Sequence, residues 1–341
     1  MDSVISPSIE ISIVLVTCGR AGLLEGALHS LLHQRLEPSA AVELIVVDDA
    51  STDRTPKLLA QLQRTAPIPI HIVQGASRGV AHARNLAAAR AAGTWLASFD
   101  DDQLAQPGWL QALYQTARQT GAAVVGGALH LHLPPGHTVE SLGPRTRAIL
   151  GEHIPCEAGP YPAGVRPATN NVLIRRDLFQ SLGGYDTTFT EGAEDADFFD
   201  RAAASGHTLS FEPAAEALHL IPPRRLDPAA LRWTSLRVGA GDVRLHQRRQ
   251  AVLGPLRLAA LRLAVAIVRD LPQLAWATLR RDRRTRLDVL CSLWYTQGVL
   301  RAWPAFLTSR QDSAFLRSLN FRVRNGERPE ATPADTTVRL T

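Results

Sequence analysis

Over the first 220 residues, short β-branched apolar runs alternate with longer stretches in which leucine recurs at helical spacing. Residues 11–17 read as a strand, and 22–34 follow as a helix with Leu24, Leu28, Leu31 and Leu32 on one face. Residues 43–47 repeat the strand pattern, followed by a helix through Leu58, Leu59 and Leu62. Residues 70–73 lead through Gly75 to a helix over 81–92, and 94–99 form a fourth apolar run entered through Gly93. This alternation predicts an α/β fold: a mostly parallel sheet with right-handed crossovers, flanked by helices. Further on, 110–118 read as a helix and 122–131 as a strand. Residues 168–176 are another strand, before a short helix 177–182 stopped by Gly183-Gly184. A last strand, 208–213, runs on to Ala217-Leu218-His219. Residues 132–168 are rich in Pro and Gly without a clean period, which predicts a long lid or binding loop. His130, His132 and His137 fit no standard metal spacing and read as solvated loop histidines.

Beyond residue 220 the pattern changes to arginine-bearing helical segments. Residues 226–249 read as a helix, and 256–268 are apolar but carry Arg257 and Arg262. Arg269-Asp270 and Pro272 are expected to interrupt that segment. A basic cluster, Arg280 to Arg286, precedes 287–306 with Trp294, Tyr295 and Trp303. No window offers the near-unbroken run of about twenty apolar residues that a bilayer span needs. Aromatics beside a basic cluster suit a helix lying in a membrane interface, and the other reading is an appendage packed on the body with a solvated arginine face. The domain expectation is therefore a body over 10–220, a helical extension over 221–325 and a disordered polar tail over 326–341.

Composition adds a division of charge. The net +5 combines 15 Lys and Arg against 23 Asp and Glu up to residue 220 with 22 against 9 beyond it. A basic extension on an acidic body points to an anionic partner, nucleic acid or a membrane surface, and no nucleic-acid motif is present. Hydrophobic content of 45% and charged content of 20% exclude a disordered chain. Three widely spaced cysteines, Cys18, Cys156 and Cys291, give neither a disulfide framework nor a zinc pattern. With no basic-then-apolar leader in residues 1–10, a cytoplasmic protein is expected, peripheral at the inner face of the membrane if the extension binds lipid.

The chemistry sits at strand ends. Thr17, the segment Asp48-Asp49-Ala50-Ser51-Thr52-Asp53 and Asp100-Asp101-Asp102 all close strands, so a parallel sheet gathers them on one edge, where open α/β sheets bind ligands. Three adjacent carboxylates repel one another unless a cation or a donor-rich ligand neutralises them. Hard oxygen donors suit Mg²⁺ or Mn²⁺, with phosphate oxygens completing the coordination. Neither Gly-x-Gly-x-x-Gly nor a P-loop sequence is present, which weighs against dinucleotide and P-loop binding.

Four segments in order, Ser12-Ile13-Val14-Leu15-Val16-Thr17, Val46 to Asp53, Gly79 to Asn85 and Phe99-Asp100-Asp101-Asp102, resemble the family 2 glycosyltransferases of GT-A fold over roughly residues 10–220. Gly183-Gly184-Tyr185-Asp186 and the Glu191 to Arg201 segment extend the likeness, with Tyr185 where the family has Phe. The resemblance implies an inverting transfer of sugar from a nucleotide diphosphate sugar to a saccharide or lipid-linked acceptor hydroxyl. It also implies that Thr17, Asp49, Arg84 and Asp101 lie on the nucleotide, and that Asp102 and Asp100, with His219, hold Mn²⁺ or Mg²⁺. Asp195, paired with Glu194, would be the catalytic base. The residues also admit plainer roles: Asp49 as a turn or cap residue, Arg84 as a surface helix arginine, Glu194 and Asp195 as helix N-terminal charges, and His219 as a structural histidine. Two rival functions remain at this level. A sugar-phosphate nucleotidyltransferase would need a Gly-rich phosphate grip that Thr17-Cys18-Gly19-Arg20 does not supply, and a non-catalytic nucleotide-sugar or nucleic-acid binding module would not need Asp195.

Overall fold

The computed structural model describes residues 9–36, 40–189, 192–307 and 314–319. The expectations for residues 1–8, for Glu191 and for the tail at 326–341 lie outside the described residues. Three βα repeats and a fourth strand open the chain: β1 (Ile9–Thr17), α1 (Ala21–Leu32), β2 (Ala41–Asp48), α2 (Thr55–Thr65), β3 (Ile70–Gln74), α3 (Val80–Arg90) and β4 (Trp95–Asp100). A short β5 (Gln103–Ala105) precedes α4 (Trp109–Thr120) and β6 (Val124–His132). Then come α5 (Pro144–Leu150), β7 (Gly159–Pro160), β8 (Asn171–Arg175), α6 (Arg176–Ser181), α7 (Glu194–Ala204) and β9 (Leu209–Leu220).

The strands form one sheet in the order β3-β2-β1-β4-β8-β6-β9-β5, with β7 on β9. The β1–β2, β1–β4, β2–β3 and β6–β9 ladders are parallel and carry most of the paired residues, while β8 runs antiparallel to both its neighbours. Alternation along each strand sends its side chains to two cores. Ile13 and Leu15 pack with Leu24, Leu28 and Trp109 on one face, and Val14 with Ala83, Ala87 and Phe198 on the other. Where β4 enters the sheet, the buried Glu43 accepts from Ser12 Oγ at 2.6 Å and from the Ala92 amide at 2.7 Å. A Cβ on Gly93 would lie 2.6 Å from the Ser12 nitrogen, so this crossing needs glycine.

The loop expected over 132–168 is partly ordered. It contains α5, whose Thr146 amide donates to Asp288 Oδ1 at 2.8 Å, so a side chain from a distant helix satisfies an amide at its start. No local period encodes such a contact.

The extension is helical, as expected: α8 (Pro228–Gln250), α9 (Leu253–Val265), α10 (Leu271–Leu279), α11 (Arg283–Leu307) and α12 (Ala314–Leu319). Two expectations need correction. Pro272 does not break the chain's helical path, because it lies in the first turn of α10, and a π-helical turn, Ala266–Asp270, joins α9 to α10. Nor is 287–306 the interfacial helix. Trp294 packs with Leu142 and Leu150, and Tyr295 and Trp303 pack with Leu236, Val243 and Val299. The aromatic side of α11 is thus turned inward. Among the described residues no helix is long and apolar enough to cross a membrane.

Candidate active site

The C-terminal edge of the parallel strands is lined by interlocked charges. Thr17, the last residue of β1, donates from Oγ1 to Asp101 Oδ2 at 2.7 Å. Two residues on, Gly19 adopts φ 61°, and Arg20 at the start of α1 turns its guanidinium back over the edge. Its Nη1 reaches Asp101 Oδ1 at 2.9 Å and Asp102 Oδ2 at 3.0 Å. Burial pushes the Asp101 carboxyl up to about 6, against the pull of Arg20 and with the push of the Asp102 charge. Its neighbour goes the other way. Burial also opposes ionisation of Asp102, but the guanidinium groups of Arg20 and Arg225 help to hold that carboxyl well below the ordinary range.

His219 reaches the site because β9 pairs antiparallel with β5, placing His219 opposite Gln103, and the Leu220 amide donates to the Asp102 carbonyl at 2.9 Å. Its Nε2 lies 3.6 Å from Asp102 Oδ2. Arg225 Nη1 donates to that Nε2 at 2.9 Å and lies 3.6 Å from Asp102 Oδ2. A guanidinium has only donors, so the single Nε2 lone pair accepts this bond. His219 Nδ1 is buried without a hydrogen-bond partner. It faces Gly151 (φ 100°), where a Cβ would stand 3.0 Å away, so only glycine satisfies both the turn and the ring.

Asp100 belongs to a different constellation. Its Oδ1 accepts from Arg84 Nη2 at 2.9 Å, while Arg84 Nη1 donates to Glu194 Oε1 at 3.0 Å. One buried guanidinium therefore ties the end of β4 to the start of α7. Burial opposes the charge on Arg84, yet Asp100 and Glu194 raise its pKa further. Burial pushes Glu194 up, helped by the Asp195 charge and opposed by Arg84. Asp195 is half-buried, and its Oδ1 accepts the amide of Ala196 at 2.8 Å. Asp197 is directed elsewhere, to Arg201 Nε at 2.9 Å. That arginine also donates to the Leu182 and Gly184 carbonyls, and Asn85 bonds both backbone polar groups of Tyr185, so the Gly183-Gly184 turn is held from two sides.

Asp49 follows β2 and accepts the Ser77 amide at 2.6 Å. Gly75 makes room for it, since a Cβ there would lie 2.4 Å from Asp49 Oδ1. The turn and cap roles fall to other acids: Asp48 accepts from the Ser51 amide, and Asp53 from the Ala21 and Thr55 amides.

The edge thus brings Thr17, Asp101, Asp102 and His219 together, and Arg84 brings Asp100 to Glu194. Asp100, Asp102 and His219 do not converge as one ligand set. Among the described residues no three His, Cys, Asp or Glu side chains are grouped as a metal site. Asp102 and His219 by themselves supply donor types that fit a divalent ion, a hard carboxylate oxygen and an imidazole nitrogen 3.6 Å apart, and the ion would take the places that Arg20 and Arg225 fill. Sequence reading missed Arg20, Arg225 and Gly151. Arg20 carries one signal, its place directly after the strand-end Gly19, whereas Arg225 and Gly151 act through contacts no spacing reveals.

The profile described as glycosyl transferase family 2 matches residues 12–179. The succinoglycan biosynthesis protein ExoM of Rhizobium meliloti (strain 1021) is 31% identical, over 67% of this chain and 72% of its own length. Among solved structures, the mannosyltransferase PcManGT from Pyrobaculum calidifontis, in complex with GDP-Man and Mn²⁺, aligns with a TM-score of 0.57 at 21% identity, covering 86% of each chain. TarS of S. aureus, in complex with UDP, aligns with a TM-score of 0.51 at 16% identity, covering 89% of this chain and 92% of that one. The sheet, the charged strand edge and these likenesses agree on the GT-A fold, and the chain belongs to glycosyl transferase family 2 as a glycosyltransferase.

Proposed function

We propose that the protein transfers a sugar from a nucleoside diphosphate sugar to a hydroxyl of a saccharide or lipid-linked acceptor, with inversion, in the synthesis of a cell-surface polysaccharide or glycolipid. One observation carries this reading: Arg84 joins Asp100, at the charged strand edge, to Glu194, at the start of the helix that bears Asp195. The donor side and the base side are thereby fixed to one another. ExoM, a succinoglycan biosynthesis protein, supports the polysaccharide setting, and the PcManGT and TarS complexes support a nucleotide-sugar donor.

In this reading Asp49 accepts a ring N–H of the base, with Thr17 beside the nucleoside, while Asp101 and Arg84 act on the nucleotide side by orienting Thr17, Arg20 and Asp100. Asp102 and His219 would hold Mn²⁺ or Mg²⁺, which when bound supplies Lewis-acid neutralisation of the departing diphosphate. Asp195 takes the proton from the attacking hydroxyl, and Glu194, held by Arg84, fixes the first turn of α7 around it. The arginine-rich extension takes an anionic membrane surface as partner, which would place the enzyme peripherally at the inner face of the membrane.

The test is turnover with a panel of nucleotide sugars and Mn²⁺ or Mg²⁺, read as released nucleoside diphosphate, with the product's anomeric configuration read by NMR. Asp195→Asn should lower kcat about 10²- to 10⁴-fold and leave donor affinity nearly unchanged. Near-wild-type turnover by Asp195→Asn, or retained anomeric configuration, would reject the inverting mechanism built on this residue.

A further inference from the structure

Segment α9, the π turn and α10 form one helical path over 253–279 that is built inside out. Among the described residues, ten of the twelve exposed large hydrophobic side chains lie between Val252 and Leu279, the other two being Val80 and Ile154. Leu256, Leu263, Ile267 and Leu271 recur at helical spacing along one face, and Val268 (77% exposed), Trp276 and Leu279 (84%) widen it. The polar groups face the other way. Asp270 is fully buried and accepts from Ser292 Oγ of α11 at 2.7 Å, with Arg269 Nε at 2.9 Å. Arg262 turns inward as well, donating to Ser292 Oγ and Thr296 Oγ1 at 2.9 Å and lying over the Tyr295 ring. A helix on a water-facing surface would carry these two charges outward and its leucines inward. Here a charge network anchors the helix to α11 and leaves the apolar face open.

The borders of that face are cationic. Arg257 is exposed along it, and Arg280, Arg281 and Arg283, with Asp282 among them, follow its C-terminal end, where Arg280 lies over the Trp276 ring at 5.0 Å. Within 253–279 the one acidic residue, Asp270, is buried and paired with Arg269. A second copy docking symmetrically would bring these arginines against their own counterparts. Anionic lipid headgroups complement them, and the acyl boundary takes the leucines and the tryptophan. At the ends of the path, Arg257 and Arg280 have aliphatic stems long enough to lie on the apolar face with their charges at headgroup level.

We infer that the exposed face of residues 253–279 is a membrane-docking surface that lies in the interface of an anionic bilayer. This rests only on the membrane-partner part of the proposed function and does not depend on the transfer chemistry. The experiment is flotation of the full chain with phosphatidylcholine vesicles and with vesicles containing about 30% phosphatidylglycerol, whose anionic headgroups give the arginines a partner. Wild type should float with the anionic vesicles at least tenfold more than with the neutral ones, and added salt should reduce that binding. The double variant Val268→Glu, Leu271→Glu alters exposed positions only, so it should keep the wild-type circular dichroism and nucleotide affinity while losing flotation at least tenfold. A second variant, Arg280→Gln with Arg281→Gln, should lose only the preference for anionic vesicles. Equal flotation of wild type and the glutamate variant would overturn the inference. So would a vesicle-free wild-type dimer that the glutamate variant turns into a monomer, since the occupant would then be a second copy. Failure to float alongside normal donor turnover would remove this docking surface and leave the enzymatic reading standing.

Discussion

At the scale of single residues, the end of β4 at Asp100 and the turn that follows give the three consecutive aspartates different partners. Leu96 packs on the α3 side of the sheet and Ala97 and Phe99 on the α1 side, so Asp100 falls to α3, where Arg84 meets it, and Asp101, in the turn, is met by Arg20. The sequence showed that carboxylates would gather at this edge. It did not show which would share a partner, because the answer depends on an arginine 16 residues upstream and a glutamate 110 residues downstream of that arginine. The triad makes a measurable prediction. Arg84→Met leaves the buried Glu194 uncompensated, which should cost about 3 kcal/mol in urea denaturation. Adding Glu194→Gln removes the stranded charge and should recover most of the loss, giving a coupling well above 0.5 kcal/mol in a double-mutant cycle. Simple additivity of the two variants would mean that Arg84 contributes through packing and not through this ion pair.

At the scale of elements, the strands and the first helices were legible from period alone, since each buries a face that the pattern marks. The extension was less so. Helix breaking was read into Pro272 because the residue type suggests it, whereas its place in the first turn of α10 requires no amide donor. Aromatic content drew attention to α11, yet exposure is decided by which face meets α8, and that meeting is set by glycines. A Cβ on Gly239 of α8 would stand 2.3 Å from the Tyr295 carbonyl oxygen, and one on Gly298 of α11 would stand 2.3 Å from the Leu236 carbonyl oxygen. The two backbones approach through reciprocal gaps. Ordinarily Gly→Ala inside a helix stabilises by up to about 1 kcal/mol. At Gly22 of α1, where nothing lies within 4 Å of the added carbon, that sign should hold. Gly298→Ala should instead destabilise by about 1–3 kcal/mol, because a carbonyl cannot move aside as a side-chain tip can. Denaturation midpoints of the two variants therefore shift in opposite directions, and a stabilising Gly298→Ala would show that the helices have room to part.

At the scale of the whole molecule, the acidic body and basic extension stand out in the charge distribution, but the packing joins them. Leu131 of β6 and Leu142 and Leu150 in and before α5 share a buried cluster with Ile221, Leu231 of α8 and Cys291 of α11. The extension also supplies polar partners to the body. Asp288 accepts the Thr146 amide at 2.8 Å and faces Arg145 at 3.7 Å, while a Cβ on Gly143 would lie 2.3 Å from its carboxyl carbon. The stretch that looked like a free loop is thus shaped by the extension and returns to the site through Gly151, against His219. Two parts that share a core and exchange buried hydrogen bonds should unfold together. We therefore propose one cooperative unit across residue 220, against the division expected from composition. In urea, tryptophan fluorescence and far-ultraviolet circular dichroism should trace a single coincident transition. Asp288→Ala leaves the Thr146 amide unpaired and should lower the whole transition by about 1–3 kcal/mol without splitting it. An early transition carrying only the helical part of the signal, in wild type or in the variant, would show that the extension folds as a separate domain and that its contacts with α5 do not couple the two.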